Sequence, residues 1–90
     1  MYKKINYQDY LRLKDEAVII DVKDEKDYLV NHLDKSINIP INKIVSILNI
    51  VKDKNKKVIV YCSNGKRSYI AARSLINLGY KYVYDLDTKK

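Results

Sequence analysis

Cysteine and histidine are nearly absent from the sequence, which contains one of each, Cys62 and His32. A single cysteine cannot form a disulfide within the chain, and one cysteine with one histidine provides too few ligands for a zinc site. The sequence therefore predicts neither a metal site nor a cofactor. It also indicates a protein that resides in a reducing compartment.

Long apolar runs are also lacking. No stretch approaches the roughly 20 apolar residues that span a membrane, and the basic residues 1–6 lead into no apolar segment of the kind found in signal peptides. The ninety residues are enough for one domain, covering 1–90. Phe and Trp are absent while Lys, Ile, Asn and Tyr are abundant, a composition typical of an A/T-rich genome. We expect a cytoplasmic, bacterial protein with no membrane partner.

Acidic residues are fewer than basic ones, and the net charge is +7. The lysines are spread over every segment, arginines are few, and no basic stripe alternates with aromatic residues. No nucleic-acid partner is therefore predicted. The positive field would still raise the local concentration of a small anionic substrate.

Apolar, β-branched runs alternate with segments of helical periodicity. The nearly continuous apolar run at 17–22 is typical of a strand buried on both faces of a parallel sheet, and 58–61 predicts the central strand. The other predicted elements are strands at 3–5, 37–39 and 81–86 and helices at 7–14, 24–30, 42–52 and 68–78. Asp24 and Asp27 predict a capping box, and Gly79 a helix end. The expected fold is a small three-layer α/β domain with an open parallel sheet of about four to five strands flanked by helices.

The most informative stretch follows the strand 58–61 and reads Cys62-Ser63-Asn64-Gly65-Lys66-Arg67-Ser68. A buried strand, a glycine-containing turn and a helix place Cys62 at the carboxyl edge of the sheet, where open α/β sheets bind ligands. The small or polar residues up to Arg67 allow successive backbone N–H groups to point inward and form an anion site. Such a site favours the thiolate, the nucleophilic form of cysteine. The alternative, a buried core cysteine, does not explain the polar residues that follow it.

This loop resembles the active-site loop of single-domain rhodanese-like sulfurtransferases, which has the pattern Cys-x-x-Gly-x-Arg-Ser. The matching residues are Cys62, Gly65, Arg67 and Ser68. A second family pattern reads Asp-Val-Arg, an aromatic residue, Gly-His-Ile and Ala-x-x-Ile-Pro. Its equivalents here are Asp21-Val22-Lys23, Tyr28, Asn31-His32-Leu33 and Ser36-Ile37-Asn38-Ile39-Pro40. The resemblance spans 21–83 and implies a rhodanese-like fold.

Lys23, Asn31, Ser36 and the end of the chain depart from the family pattern. Lys23 replaces an arginine, so a point charge stands in place of a bidentate fork. Asn31 replaces a glycine and Ser36 an alanine, and neither change is expected to break the fold. The family usually continues into Gly-Gly and a Trp-containing helix, whereas this sequence stops at Lys90. We expect one face of the sheet or one wall of the site to be less covered, and a monomer or a weak homodimer in which a second copy provides the cover.

The resemblance implies catalysis by Cys62 and an active-site loop of Ser63, Asn64, Gly65, Lys66, Arg67 and Ser68. In this loop Arg67 would hold an oxyanion, or else be a solvent-facing arginine at a helix start. Lys66 would add positive charge, and Gly65 a positive φ. The hydroxyls of Ser63 and Ser68 would donate hydrogen bonds to a persulfide or cap the following helix.

Asp21, Lys23 and His32 are predicted to support the site. Asp21 ends a buried strand and is expected to fix neighbouring loops by accepting hydrogen bonds. A Cys62–His32 nucleophile–base pair is possible, but a thiolate held by backbone N–H groups needs no base. We therefore favour a structural, hydrogen-bonding role for His32.

The predicted reaction is the transfer of a sulfane sulfur from a small anionic donor such as thiosulfate to a thiol or a protein acceptor through a Cys62 persulfide. A cysteine phosphatase or arsenate reductase on the same fold is less favoured, because those enzymes have five residues between Cys and Arg and this loop has four. A non-catalytic or sulfur-carrier module that binds a partner protein is a further alternative.

Overall fold

The computed structural model of the protein describes residues 1–88. Lys89 and Lys90, with which the sequence ends, lie outside the described residues. The strands are β1 (Tyr2–Ile5), β2 (Ala17–Asp21), β3 (Ile37–Asn38), β4 (Lys57–Tyr61) and β5 (Tyr82–Leu86). The α-helices are α1 (Tyr7–Leu13), α2 (Glu25–Val30), α3 (Ile47–Ile50) and α4 (Lys66–Asn77), and 3₁₀ segments cover Lys14–Glu16 and Ile41–Ser46. The α/β class and the five-stranded parallel sheet flanked by helices are confirmed.

The central strand β4 is buried on both faces. Val58 and Val60 belong to a core that includes Ala71 and Leu75 of α4. The alternate residues of β4 point to the opposite face, where Ile59 packs in a second core with residues of β1, α1 and β5. A strand with helices on both sides needs apolar residues at successive positions, which is why this segment reads as an uninterrupted apolar run.

The strand order is β1-β5-β4-β2-β3, and all neighbouring strands are parallel. The chain leaves β2 toward β3 at one edge and leaves β4 toward β5 on the other side, so the connections diverge between β2 and β4. Asp21, the last residue of β2, lies beside Tyr61, the last residue of β4. Ligands of open α/β sheets bind at the carboxyl ends of the strands where connections diverge, and this crevice contains Cys62.

The segment predicted as one helix over 42–52 has a different structure. It consists of a 3₁₀ segment followed by the four-residue helix α3, and Lys43 has non-helical φ and ψ angles of −117° and 17°. Isoleucine, valine, asparagine and serine dominate this segment, and all four have lower helix propensity than alanine or leucine. The buried face also differs from that of a continuous helix. The helical spacing of Ile41, Ile44, Val45, Leu48 and Val51 predicts that these residues share the apolar face, but Val45 is 60% exposed and Ile47 is fully buried.

The predicted capping box at the start of α2 is wrong. Asp24 is the N-cap residue, but its carboxylate accepts no hydrogen bond from the first turn of the helix. The carboxylate instead lies 3.7 Å from a guanidinium nitrogen of Arg67. At the end of α4 the prediction is confirmed, since Gly79 has a φ of 100°. Within residues 1–88, no helix has the length and apolar character that a membrane span requires.

Candidate active site

Cys62 follows β4 directly, and its side chain is 2% exposed. Two backbone N–H groups donate to its sulfur, Gly65 at 3.1 Å and Ser68 at 3.3 Å. Gly65 makes this approach possible because its φ of 85° turns the loop into α4. The sulfur therefore lies at the N-terminus of a twelve-residue helix, where the helix dipole and the free N–H groups favour negative charge.

The pKa of the Cys62 thiol lies below its ordinary value. Burial is the largest single influence and raises this pKa, but hydrogen bonds from the Ser68 hydroxyl and from the backbone N–H groups of Ser68, Asn64 and Gly65 together outweigh it. The consequence is a larger fraction of thiolate at neutral pH than an unperturbed cysteine would have.

Ser68 is fully buried at the first turn of α4, and its hydroxyl has one hydrogen, which it can donate either to the Cys62 sulfur or to the Gly65 carbonyl oxygen at 3.3 Å. Ser68→Ala would remove one donor to the sulfur, so the pKa of Cys62 is expected to rise. The rate of alkylation by iodoacetamide at neutral pH should fall about five-fold, the effect of one hydrogen bond of about 1 kcal/mol, and its pH profile should move to higher pH. An unchanged profile would contradict this role, and Ser74→Ala, two turns further along α4, is the matched control.

Asn64 stabilises the shape of the loop. Its side-chain oxygen accepts the backbone N–H of Lys66 at 3.0 Å and lies 3.9 Å from the Cys62 sulfur. The Ser63 and Lys66 side chains are exposed and form the outer part of the loop. The structure thus brings the six predicted loop residues around Cys62, with Gly65 and Ser68 in direct contact with the sulfur.

Arg67 lies on one side of Cys62. It lines a cavity of about 190 Å³ together with Asp27, Cys62, Ser63 and Asn64. Its nearest described acidic partner is Asp24, at 3.7 Å, and both side chains are about half exposed. An exposed ion pair of this length is weak, so the guanidinium can turn to an anionic ligand.

A second cavity, of about 370 Å³, lies on another side of Cys62. Its lining residues are Lys23, Asn31, His32, Leu33, Tyr61, Cys62, Ser63 and Thr88. His32 lines this cavity and Arg67 lines the smaller one, so the two predicted residues flank Cys62 in separate cavities. Of the predicted supporting residues, Lys23 and His32 therefore lie in the wall of the candidate site.

Asp21 and Lys23 form a buried ion pair beneath this wall. Asp21 is fully buried, and its carboxylate accepts the backbone N–H of Lys23 at 2.8 Å. The Lys23 ammonium lies 3.5 Å from the same carboxylate and donates to the Asn31 carbonyl oxygen at 2.9 Å. Lys23 therefore connects the end of β2 to the residue before His32.

Tyr61 and Thr88 are wall residues that the motifs did not reveal. The Tyr61 hydroxyl accepts the backbone N–H of Leu33 at 2.9 Å, and burial together with nearby Asp21 raises its pKa well above the ordinary value. Thr88 donates its hydroxyl to the Cys62 carbonyl oxygen at 2.7 Å. Tyr61 precedes Cys62 and was detectable as a neighbour, whereas nothing in the sequence around Thr88 indicates the contact. Residues 1–88 contain no group of three or more His, Cys, Asp or Glu placed to hold a metal ion.

The fold agrees with comparisons to known proteins. The family model described as rhodanese-like domain matches residues 7–88. A thiosulfate sulfurtransferase, GlpE of Coxiella burnetii, is 34% identical over 88 residues, which cover 96% of this chain and 81% of that protein. The chain belongs to the rhodanese-like domain family.

Solved structures support the same assignment. A rhodanese-related protein from Thermoplasma volcanium has a TM-score of 0.83 and 29% identity, with 96% of this chain and 84% of that chain covered. A rhodanese from E. coli, solved with anions, has a TM-score of 0.74 and 36% identity, with 77% of this chain and 82% of that chain covered. These likenesses confirm the predicted fold and family.

Proposed function

We propose that the protein is a sulfurtransferase in which Cys62 takes a sulfane sulfur from thiosulfate and passes it to a thiophilic acceptor. The observation that carries this proposal is the pair of backbone N–H groups, from Gly65 and Ser68, that donate to the Cys62 sulfur. These N–H groups stabilise the Cys62 thiolate before it attacks the donor. They stabilise it again when the outer sulfur of the persulfide is transferred and Cys62 becomes a thiolate once more. The similarity to the Coxiella burnetii thiosulfate sulfurtransferase supports the choice of donor.

In the first half-reaction the Cys62 thiolate attacks the outer sulfur of thiosulfate. A sulfur–sulfur bond forms to Cys62 while the bond to the sulfonate sulfur breaks, and sulfite leaves with the electron pair. Sulfur transfer to the acceptor then restores the Cys62 thiolate. Because the sulfur is held covalently between two separate steps, the kinetics are expected to be ping-pong.

Arg67 is the residue we propose to bind the sulfonate group of the donor. A guanidinium can donate two parallel hydrogen bonds to neighbouring oxygens of an anion. The variant Arg67→Gln is expected to raise the KM for thiosulfate about ten-fold, which corresponds to the loss of one charge-assisted hydrogen bond. Steady-state kinetics with thiosulfate as the varied substrate would measure the effect.

Arg73→Gln is the matched control for the change in net charge. Arg73 lies on the same helix and contacts the Tyr69 hydroxyl, and it lines neither cavity beside Cys62. This variant changes the field of the protein by the same single charge, so it is expected to leave the KM within about two-fold of the wild-type value. Equal increases in both variants would show that Arg67 acts only through the overall charge and would contradict the binding role.

The direct test of the proposed function is the mass of the intact protein after incubation with thiosulfate. A gain of one sulfur atom, about 32 Da, that a reducing thiol removes would identify the persulfide. No gain, although Cys62 still reacts with iodoacetamide, would overturn thiosulfate as the donor. No gain and no alkylation would overturn the catalytic role of Cys62 and favour a module that only binds partners.

Residues 1–90 would form one rhodanese-like domain, which agrees with a single sheet built from strands between Tyr2 and Leu86. We propose a bacterial, cytoplasmic location, where a reduced Cys62 is maintained. We also propose a monomer or a weak homodimer, which size-exclusion chromatography at several concentrations would test.

A further inference from the structure

The two cavities beside Cys62 differ in the charged groups that line them. The smaller cavity contains the half-exposed Arg67 guanidinium, which can turn to a ligand, and the Asp27 carboxylate. In the larger cavity Lys23 is the one arginine or lysine among the lining residues that the structure describes. The Lys23 ammonium is already engaged by Asp21 and by the Asn31 carbonyl oxygen. The larger cavity therefore favours a ligand that arrives neutral over one that arrives as an anion.

The size and the lining of the larger cavity fit a small organic molecule. Its volume of about 370 Å³ falls within the range of about 300–1,000 Å³ that is typical of small-molecule sites. Leu33 and the Tyr61 ring provide apolar surface, and Thr88, Ser63 and Asn31 provide polar groups. Cys62 lies in the wall, so a ligand in this cavity can reach the sulfur that Cys62 holds.

His32 is the one imidazole among the lining residues that the structure describes, and its ring is held in a defined orientation. Its Nδ1 lies 2.8 Å from the Tyr28 carbonyl oxygen. A carbonyl oxygen only accepts hydrogen bonds, so Nδ1 carries the hydrogen, and in the neutral ring the lone pair is on Nε2. Among residues 1–88 nothing hydrogen-bonds to Nε2, which leaves this atom free to act on a ligand.

The orientation of the His32 ring is fixed by Tyr28. The two rings stack with centroids 3.8 Å apart and an angle of 10° between their planes. Tyr28 is itself held at its other end, because its hydroxyl donates to the Ser36 carbonyl oxygen at 2.7 Å. A histidine with a purely structural role would need only the hydrogen bond from Nδ1 to the Tyr28 carbonyl oxygen. Stacking on the Tyr28 ring also fixes the plane of the imidazole, and with it the direction of Nε2.

Resting on the proposed sulfurtransferase function, we propose that the sulfur acceptor is a low-molecular-mass thiol that binds in the larger cavity, and that His32 Nε2 takes its proton. The resulting thiolate attacks the outer sulfur of Cys62–S–SH, and a new sulfur–sulfur bond forms to the acceptor. The bond between the two persulfide sulfurs breaks, and its electron pair stays on Cys62 as a thiolate. The acceptor leaves as a persulfide, and no external oxidant or reductant takes part.

This role differs from that of a base for Cys62. The Cys62 thiolate is stabilised by backbone N–H groups, so formation of the persulfide from thiosulfate does not need His32. Only an acceptor that arrives with a proton needs it. Sulfite arrives as an anion and can take the sulfur directly, so it distinguishes proton transfer from any general effect on the site.

The test separates the two half-reactions. Wild-type protein and His32→Gln are loaded with thiosulfate, freed of excess donor, and checked for the added sulfur by mass. The loaded proteins are then mixed rapidly with 2-mercaptoethanol or with sulfite, and the loss of the added sulfur is followed with time. His32→Gln is expected to load normally and to discharge to 2-mercaptoethanol about 10²-fold more slowly, the usual effect of losing a general base, while discharge to sulfite stays within about two-fold.

A series of acceptor thiols of increasing basicity tests whether His32 acts as a base. The defect of His32→Gln should grow with the basicity of the thiol, because a more basic thiol has a smaller fraction of thiolate at neutral pH and depends more on the base. Equal slowing with sulfite and with thiols, or no slowing with thiols, would overturn the role of His32. Failure of the wild-type protein to load would instead overturn the proposed function.

Tyr28 provides a second pair of variants. Tyr28→Leu removes the stacked ring and should slow discharge to 2-mercaptoethanol but not to sulfite, as expected of a positioning residue. Tyr28→Phe retains the stacked ring and loses only the hydrogen bond to the Ser36 carbonyl oxygen, so its discharge to 2-mercaptoethanol should be faster than that of Tyr28→Leu, and its discharge to sulfite should be unchanged. If the two variants behave alike with the thiol, the stacked ring does not position His32 and the argument from orientation fails.

Discussion

Replacing Cys62 by serine is expected to reduce the rate of sulfur transfer from thiosulfate by at least about 10³-fold, which is the order of loss when a covalent nucleophile is removed. A serine hydroxyl is not ionised at neutral pH, and it cannot carry a sulfane sulfur between two half-reactions. The N–H groups of Gly65 and Ser68 would then have no thiolate to stabilise. Steady-state assays with thiosulfate, together with intact mass after loading, would measure both the loss of turnover and the absence of the added sulfur.

The same variant has to be shown to fold. Cys62 belongs to the core that contains Val60 and Ala71, but serine is close to cysteine in size. The circular dichroism spectrum of Cys62→Ser should therefore match that of the wild-type protein. Turnover at the wild-type rate in a folded Cys62→Ser protein would refute the covalent mechanism.

The relative rates with a phosphate ester and with thiosulfate distinguish a cysteine phosphatase from a sulfurtransferase. A cysteine phosphatase would use the same N–H groups to bind a tetrahedral phosphate. We expect hydrolysis of p-nitrophenyl phosphate to be slower than sulfur transfer from thiosulfate. The reverse order of rates would favour the phosphatase alternative over the proposed function.

Most of the sheet could be predicted from the sequence because its signals are local. β2 and β4 each contain three successive β-branched residues, 18–20 and 58–60, and a strand buried on both faces is expected to be apolar at successive positions. The loop was equally readable, since Gly65 provides the positive φ between a buried strand and α4. Each of these features depends on residues that are close together in the chain.

The differences arise where a distant contact determines the local structure. Asp24 is predicted to cap α2 through its side chain, but its carboxylate lies beside Arg67, more than forty positions along the chain, and accepts no hydrogen bond from the helix. Thr88 reaches the Cys62 carbonyl oxygen only because β5 and β4 are neighbours in the sheet. The 41–50 segment has weak helix propensity, and packing of Ile47 against the core sets its register.

A second large effect is expected from Asp21, the buried carboxylate at the end of β2. The variant Asp21→Leu would leave the buried Lys23 ammonium with a carbonyl oxygen as its partner instead of a carboxylate. Breaking one side of a buried ion pair costs about 3–5 kcal/mol. We expect the free energy of unfolding, measured with urea, to fall by this amount, and Glu16→Gln, at an exposed ion pair with Lys57, to leave the unfolding midpoint unchanged.

The double variant Asp21→Leu/Lys23→Met separates the buried charge from the loss of packing. Removing both partners leaves no uncompensated charge, so most of the lost stability should return, with a coupling energy of about 2 kcal/mol or more. The recovered protein would still lack the contact between Lys23 and the Asn31 carbonyl oxygen, which joins β2 to the residue before His32. It should therefore regain stability more completely than it regains sulfur transfer to a thiol. A double variant that is as unstable as Asp21→Leu would show that the carboxylate acts through its hydrogen bond to the Lys23 N–H and not through the ion pair.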